Sequence, residues 1–355
     1  MADQAERLRA FVELGKFFRE YSEYCNSGVP IPSGNDWHLD FQEVIAVAGH
    51  KNGWFTEENI LYSLEAWGAL LTYEQLNRWL SNYDLKNNHP KTVALIMAGN
   101  IPLVGFHDFL SVLMSGNRAL VKLSSNDAVL LPFIAQFLGD RSPSLKNEME
   151  FASGKLGHFD AVIATGSDNT ARYFEHYFGH KPHIIRKNRN SVAILTGKES
   201  HGQLKALGED VFRYYGLGCR SVSKVFVPEG YDFSDFFKAI FDYNPIINQA
   251  KYANNYDYNK AVYLMSDFKM LENGFLVLKK DGGYHSPIAT LFYEEYGSLG
   301  ALKDRILEDA EKIQCVVADG LFENEVAFGE TQKPGLKDYA DGIDTVEFLL
   351  KTKAN

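Results

Sequence analysis

From residue 93 onward, short apolar segments alternate with segments of helical periodicity, and this alternation restricts the fold more than any other feature. The segments VALIMA, RALVKL, FDAVIATG and SVAIL have the length and composition of buried strands. Amphipathic segments separate them, and further strands are predicted at 224–228 and 315–319. Strands that alternate with helices form βαβ units, so the sequence predicts an α/β protein with mostly parallel sheets.

The alternation divides the chain into four parts. Residues 1–85 show helical periodicity and are predicted to form an N-terminal helical segment that packs on the domain after it. Residues 86–200 and 201–320 are predicted to form two α/β domains, with the boundary near GKESHG at 197–202. The tail 321–355 contains TVEFLL, which we interpret as a final strand whose edge pairs with another subunit. A homo-oligomer is therefore expected.

The composition argues against several functional classes. The formal net charge is -10 and the pI is about 5.5, so the chain lacks the broad basic surface that nucleic-acid binding requires. Its three cysteines are far apart and odd in number, which is typical of neither a disulfide framework nor a zinc site. No apolar run is long enough to span a membrane, and the charged N-terminus does not resemble a signal peptide. A cytoplasmic protein is predicted.

Cys219 is the candidate nucleophile. It lies in YYGLGCRSVSKVFVP, a glycine-rich loop between a predicted helix and a predicted strand. Glycines allow a ligand to approach the backbone closely, and a cysteine thiolate is a strong nucleophile. The alternative is a cysteine buried in the core, where free cysteines are most often found.

Asn100 and Lys122 follow two successive predicted strands. Asn100 comes directly after the first, and its side-chain amide can donate a hydrogen bond to an oxyanion. Lys122 ends the next strand, from which it could reach a ribose or a phosphate. The alternatives are a turn asparagine and a solvated lysine.

A third predicted strand leads into Thr165, Gly166 and Ser167, which open a helix. The backbone N–H groups of such a turn suit a diphosphate, although an ordinary helix N-cap would use the same residues. No G-x-G-x-x-G sequence follows a strand, so a standard Rossmann dinucleotide site is not supported.

Two further clusters of polar residues stand out. Arg186 and Arg189 belong to a local basic cluster that could contact a phosphate of coenzyme A or of the cofactor, with a solvated loop as the alternative. Three histidines at 176–183 are interpreted as surface or packing residues, because no further ligand is evident. No metal site is predicted.

Four segments in this order resemble motifs of the aldehyde dehydrogenase superfamily. AGNIP is similar to its oxyanion-asparagine loop, ALVKLSSND to its cofactor-lysine strand, TGS to its diphosphate turn and GLGCRS to its nucleophile loop. The closest resemblance is to the LuxC-type acyl-CoA reductases, over roughly residues 85–320. The superfamily binds nicotinamide cofactors without the glycine fingerprint. An aldehyde-dehydrogenase-like fold is therefore expected, with 86–200 binding the cofactor and 201–320 carrying the nucleophile.

The resemblance also implies residue roles. Cys219 would be the nucleophile, and Asn100 would stabilise the oxyanion together with the backbone N–H of Cys219. Lys122 would contact the cofactor ribose or its phosphate, with NADP expected and NAD as the alternative. Thr165, Gly166 and Ser167 would contact the diphosphate.

Two departures from the oxidising members of the superfamily narrow the expected reaction. Those members carry a glutamate that activates water, but the matching stretch here, IIRKNRNSVAIL, has no carboxylate and places Ile185 or Arg186 near that position. The glutamate that holds the nicotinamide ribose is also missing from GGYHSP. Without a general base, an acyl-enzyme is reduced or transferred rather than hydrolysed.

The resemblance and these departures imply reduction of a fatty acyl-CoA or acyl-protein thioester to an aldehyde. The alternatives are a cysteine-dependent acyltransferase or thioesterase, and a degenerate homologue that only binds acyl-CoA.

Overall fold

The computed structural model describes the chain except for five residues, covering 1–31, 34–266 and 268–353. The chain divides into two units. The first consists of Met1–Lys187 and Gly335–Asn355, and the second of Asn188–Pro334. Each unit has its own β-sheet and its own hydrophobic core.

The α-helices of the described residues are α1 Gln4–Ser27, α2 Asp36–Lys51, α3 Glu57–Leu70, α4 Tyr73–Leu80, α5 Phe106–Met114, α6 Leu130–Arg141, α7 Pro143–Lys146, α8 Asp168–Phe178, α9 His201–Phe212, α10 Ser234–Ala239, α11 Ala250–Met265, α12 Leu299–Glu308 and α13 Thr345–Lys351. The strands are β1 Thr92–Ile96, β2 Arg118–Lys122, β3 Met149–Phe151, β4 Ala161–Thr165, β5 His183–Arg186, β6 Asn190–Ile194, β7 Val222–Pro228, β8 Met270–Glu272, β9 Val277–Lys280, β10 Thr290–Tyr296 and β11 Ile313–Val317.

The N-terminal helices form as the sequence predicts, and they pack into the core of the first unit. Asp3 caps α1, because its carboxylate accepts the N–H of Glu6 at 2.7 Å. The helix buries Phe11, Leu14 and Phe18, which recur at helical spacing. No separate helix is predicted from the sequence at α2.

The first sheet is entirely parallel, as predicted, with strand order β3-β2-β1-β4-β5. Its central strands are nearly continuous apolar segments, because helices cover both faces of a parallel sheet. From β1, the chain adds strands first on one side and then on the other. This reversal creates a switch point between β1 and β4, where open α/β sheets bind ligands beyond the carboxyl ends of the strands.

The second sheet has the order β11-β6-β7-β10-β9-β8 and is parallel except for its edge strand β8. The strand SVAIL, predicted to end the first domain, belongs here instead, because β6 pairs with both β7 and β11. The two units therefore meet in sequence between Lys187 and Asn188, before that strand, and not at 197–202.

The prediction of a final strand at 345–350 is wrong, because TVEFLL forms α13. Asp344 starts the helix by accepting the N–H of Glu347 at 2.9 Å. Val346 and Leu349, three positions apart, then share one buried face. This segment thus does not provide the pairing edge on which the expected homo-oligomer was based.

Across the described ranges, none of the helices combines the length and the hydropathy needed to cross a bilayer.

Candidate active site

In the first unit, the carboxyl ends of three strands lie at one edge of the sheet. Ile96 of β1 is in register with Lys122 on one side and with Ala164 on the other. Lys122 ends β2 at this edge, and the loops that leave the edge carry Asn100 and the turn 165–167. The structure therefore brings together, at the β1–β4 switch point, the residues that the sequence predicts for the oxyanion and the cofactor.

The Asn100 loop packs closely against the loop that follows β2. A Cβ atom on Gly99 would lie 2.7 Å from the Oγ of Ser124 and 3.0 Å from the backbone nitrogen of Asp127. Only glycine allows this approach without displacing the neighbouring loop. The half-buried Asn100 is thus carried by a backbone segment with little freedom to shift.

Asn52 connects these two loops and was missed by sequence reasoning. Its buried amide Nδ2 donates to the carbonyl of Gly99 at 3.4 Å and to the carbonyl of Asn126 at 3.3 Å. Asn52 follows α2, far from the loops in sequence, so nothing near the AGNIP motif indicates it.

Leu103, in the same loop, has a φ of 57° although it carries a side chain. The left-handed region is unfavourable for such a residue, and surrounding packing must hold it there. Leu103 is buried, and its side chain lies in the core of the first unit.

Lys122 is half-buried at the end of β2, and its Nζ donates to the carbonyl of Gly154 at 2.9 Å. The four residues after it, 123–126, contain no carboxylate. Lys122 therefore places a cation at this edge of the sheet, and the first carboxylate that follows it in the chain is Asp127.

The predicted diphosphate turn opens helix α8. Ser167 is the N-cap, and its Oγ accepts the N–H of Thr170 at 3.3 Å, so the N-cap interpretation is correct for this residue. A Cβ on Gly166 would lie 3.0 Å from the Thr170 side chain and 3.1 Å from the Phe174 ring. The turn thus presents bare backbone, and the helix N-terminus behind it favours negative charge.

Arg186 does not lie in a solvated loop and is not placed to contact a phosphate. Its side chain is 7% exposed, and Nη2 donates to Oδ1 of Asp108 at 2.9 Å and to Oγ1 of Thr345 at 3.1 Å. A buried guanidinium that is paired with a carboxylate is not available to an external anion. Arg189 belongs to the second unit, where its Nη1 donates to the carbonyl of Ala310 at 3.4 Å.

Cys219 is exposed, so it is not the buried core cysteine that the sequence left as an alternative. The chain reaches it through three successive residues in the left-handed region: Tyr214, Tyr215 and Gly216 have φ values of 55°, 58° and 73°. The two tyrosines carry a conformational cost of about 1 kcal/mol or more each. Strain of this kind is often retained next to functional residues.

Hydrogen bonds hold the loop around Cys219 through its backbone and through the side chain of Arg220. The Oγ of Ser191 donates to the carbonyl of Cys219 at 3.0 Å, and the Nε of Arg220 donates to the carbonyl of Thr331. The buried carboxylate of Asp210 in turn accepts the N–H of Thr331 at 2.9 Å. The segment around Thr331 lies more than 100 residues away in sequence, so the nucleophile motif does not indicate it.

The GYHSP segment lies beside the strand that follows Cys219. Ser223 Oγ donates to the carbonyl of Tyr284 at 2.7 Å, and Nδ1 of His285 hydrogen-bonds Oδ1 of Asn190 at 3.1 Å. The strands β6, β7 and β10 are parallel, so their amino ends lie at the same edge of the sheet. Cys219 lies shortly before the amino end of β7, and His285 lies shortly before that of β10. Sequence reasoning missed His285, because the feature that distinguishes GYHSP in the sequence is its missing carboxylate.

A buried cation lies farther along β7. Nζ of Lys224 donates to Oε2 of Glu294 at 2.6 Å and to the carbonyl of Asp281 at 3.1 Å. Burial lowers the pKa of Lys224, and the Glu294 carboxylate opposes that change. Because Glu294 belongs to β10, the ion pair joins β7, which begins next to the nucleophile loop, to its neighbouring strand.

Comparisons with known proteins agree on fold and family. Aldehyde dehydrogenase KauB from Pseudomonas aeruginosa is 13% identical with a TM-score of 0.61, over 89% of this chain and 72% of that one. The NAD+ complex of aldehyde dehydrogenase from Bacillus cereus is 13% identical with a TM-score of 0.60 over the same shares. At this identity the similarity establishes the aldehyde dehydrogenase fold, which the sequence predicted.

A curated relative, the long-chain acyl-protein thioester reductase of Aliivibrio fischeri, is 25% identical over 226 residues, or 58% of this chain. The match covers 47% of that protein, so the chain spans about half the length of its curated relative. The family model described as Acyl-CoA reductase (LuxC) matches residues 53–242, which is more than half of the chain. The chain therefore belongs to the LuxC acyl-CoA reductase family.

Proposed function

We propose that this protein reduces an acyl thioester, carried by coenzyme A or by a protein, to the aldehyde through an acyl-enzyme on Cys219, with NADPH as the reductant. The observation that carries the proposal is the exposure of Cys219 on a strained loop that is hydrogen-bonded through the Cys219 carbonyl and through the Arg220 side chain. A fixed, accessible thiol is what nucleophilic attack on a carbonyl requires.

In this proposal the Cys219 thiolate attacks the thioester carbonyl carbon. Asn100 donates its side-chain N–H to the oxyanion, together with the backbone N–H of Cys219. A carbon–sulfur bond to Cys219 forms as the bond to the carrier breaks, and the carrier leaves as a thiol after taking up a proton. The acyl group then remains on the enzyme as a thioester.

The acyl-enzyme must not be hydrolysed before it is reduced. The environment of Arg186 is consistent with this requirement. Near the position where oxidising relatives carry a water-activating glutamate, this chain has Ile185 or Arg186, and the Arg186 guanidinium is paired with Asp108. An arginine does not accept a proton at physiological pH, so it cannot activate water as a base. Hydrolysis of the acyl-enzyme is therefore disfavoured.

The residues of the β1–β4 switch point fit a nicotinamide cofactor. The bare turn at Gly166 and the N-terminus of α8 would hold the diphosphate, and Lys122 the adenosine ribose. Enzymes specific for NAD place a carboxylate on the ribose hydroxyl, whereas a cation accommodates the 2′-phosphate of NADP. Because Lys122 is followed by no carboxylate at 123–126, we favour NADPH over NADH.

When bound, NADPH would supply the hydride that brings the acyl group on Cys219 to the aldehyde level. The resulting thiohemiacetal on Cys219 collapses by breaking its carbon–sulfur bond, which releases the aldehyde and regenerates the thiol.

The purified protein tests this proposal when it is incubated with a fatty acyl-CoA and either NADPH or NADH. We expect thiol release, loss of cofactor absorbance and aldehyde in equal amounts, and faster reaction with NADPH. Cys219→Ala should abolish all three signals and the covalent labelling by radioactive acyl-CoA, while Cys25→Ala serves as the matched control. Thiol release without cofactor oxidation would instead identify an acyltransferase or thioesterase. Binding with neither signal would identify a homologue that only binds acyl-CoA.

A further inference from the structure

A small cavity lies beneath the Asn100 loop, at the carboxyl ends of β1 and β2. Its walls are a glycine and the side chains of Met97, Ala98, Leu103, Phe106, Leu123 and Leu131. One charged residue, Asp127, also lines it. The walls come from the end of β1, the start of α5, the end of β2 and α6, and none of these elements places a second charged side chain in the lining.

Asp127 is 8% exposed, and its Oδ1 is buried without a hydrogen-bond partner. An ionised carboxylate in such a place is costly, and native proteins seldom retain one without a use. The mechanism proposed above does not employ it.

Asp127 contacts the Asn100 loop and the start of α6, and its backbone N–H also donates to the carbonyl of Ser124 at 3.2 Å. The backbone N–H groups of Leu103 and Leu130 stabilise its carboxylate. Its own backbone nitrogen lies against Gly99, the neighbour of Asn100. Asp127 thus joins both ends of the loop segment 99–103 to the start of α6, and one of its contacts is the strained residue Leu103.

We propose that the ionised Asp127 is a positioning residue that holds the Asn100 loop in its oxyanion-binding conformation and releases it on protonation. The catalytic consequence rests on the proposed function, whereas the effect on the loop does not. A charged acceptor binds backbone N–H groups about twice as strongly as a neutral one. Protonation of Asp127 therefore weakens its interaction with the backbone N–H of Leu103.

The protonation state of Asp127 changes within the pH range in which the protein can be assayed. Burial raises the pKa of Asp127 to about 6, and the N–H groups of Leu103 and Leu130 oppose the rise. The carboxylate is therefore ionised at pH 8 and protonated at pH 5. Because the folded-state pKa lies above the unfolded value, ionisation makes the fold less stable as the pH rises through 6.

The test compares Asp127→Asn with Asp140→Asn, an exposed carboxylate on the helix that follows Asp127. In the wild type, kcat should fall as the pH drops below 6 and level off about tenfold lower, where Asp127 is protonated. Asp127→Asn should have a kcat about tenfold lower at pH 8 and no inflection near pH 6, with an unchanged Kd for NADPH. Its Tm at pH 8 should equal or exceed that of the wild type, while Asp140→Asn should match the wild type throughout.

Two results would overturn the proposal. One is a wild-type pH profile in Asp127→Asn. The other is a loss of activity accompanied by a lower Tm at pH 8, since that pattern belongs to a residue needed only for folding.

Amide hydrogen exchange in residues 97–105 tests the same idea without any substrate. After correction for intrinsic rates, protection of this segment should be high at pH 8 in the wild type, and reduced below pH 6 and in Asp127→Asn. Equal protection in both proteins at pH 8 would refute the positioning role, even if the protein proved not to be a reductase.

Discussion

At the scale of single residues, the candidate site contains groups that lower the stability of the fold. Burial raises the pKa of Asp127 to about 6, about two units above that of an unfolded aspartate. At 1.36 kcal/mol per unit, ionisation lowers the free energy of unfolding by roughly 3 kcal/mol between pH 4 and pH 7. Tyr214 and Tyr215 add backbone strain next to Cys219. Such costs are common where activity and stability compete.

Asn100→Ala tests the oxyanion role. Loss of one donor to an oxyanion typically slows the chemical step by about 10²–10³-fold. We expect single-turnover reduction to slow by that factor, with the Kd for NADPH changed by less than about twofold. Asn126→Ala, an exposed asparagine on the neighbouring loop, should retain wild-type rates. Weakened cofactor binding with normal chemistry would remove Asn100 from this role.

Lys122→Gln tests the choice of cofactor. A lysine that pairs with the 2′-phosphate should contribute to binding of NADPH and little to that of NADH. We expect the Kd for NADPH to rise about tenfold, equivalent to roughly 1.4 kcal/mol, while the Kd for NADH stays nearly constant. NADH provides the internal control in a fluorescence titration, and an equal loss for both cofactors would contradict a phosphate contact.

At the scale of elements, α13 shows how tertiary context overrides a local pattern. TVEFLL has the β-branched and apolar composition of a strand. Its helical state depends on the cap at Asp344, on Thr345 bonded to Arg186, and on Tyr83, whose hydroxyl donates to Oδ2 of Asp344 at 2.6 Å. These partners lie more than 150 residues away, where inspection of the segment cannot find them.

Asp344→Ala should destabilise the first unit. It removes the α13 N-cap, worth about 1 kcal/mol, and leaves the Tyr83 hydroxyl without that acceptor. We expect the free energy of unfolding to fall by about 1–3 kcal/mol, measured by urea denaturation. Asp344→Asn retains a capping side chain and should recover most of the loss. Equal stability of all three proteins would show that packing of Val346 and Leu349 alone maintains the helix.

At the scale of the whole molecule, the sequence predicts what is encoded locally. The α/β class, the parallel sheets and most individual elements follow from periodicity, and all-parallel pairing brings Asn100 and Lys122 to one edge. The sheet to which SVAIL belongs could not be predicted, because pairing of β6 with the distant strands β7 and β11 decides it and the local sequence does not encode that pairing. The supports at Asn52, Asp127 and Thr331 were missed for the same reason, since each acts on a loop formed by another part of the chain.

The pairing of Arg186 with Asp108 also bears on the evolution of this chain. A single Arg186→Glu change, which would introduce a carboxylate near the position of the water-activating glutamate, would leave two buried carboxylates facing each other. Breaking a buried ion pair costs about 3–5 kcal/mol, a large share of the stability of most proteins. The ion pair therefore opposes a carboxylate at position 186 unless Asp108 changes first or at the same time. Stability thus links the two positions, so that a substitution at one restricts which substitutions the other can accept.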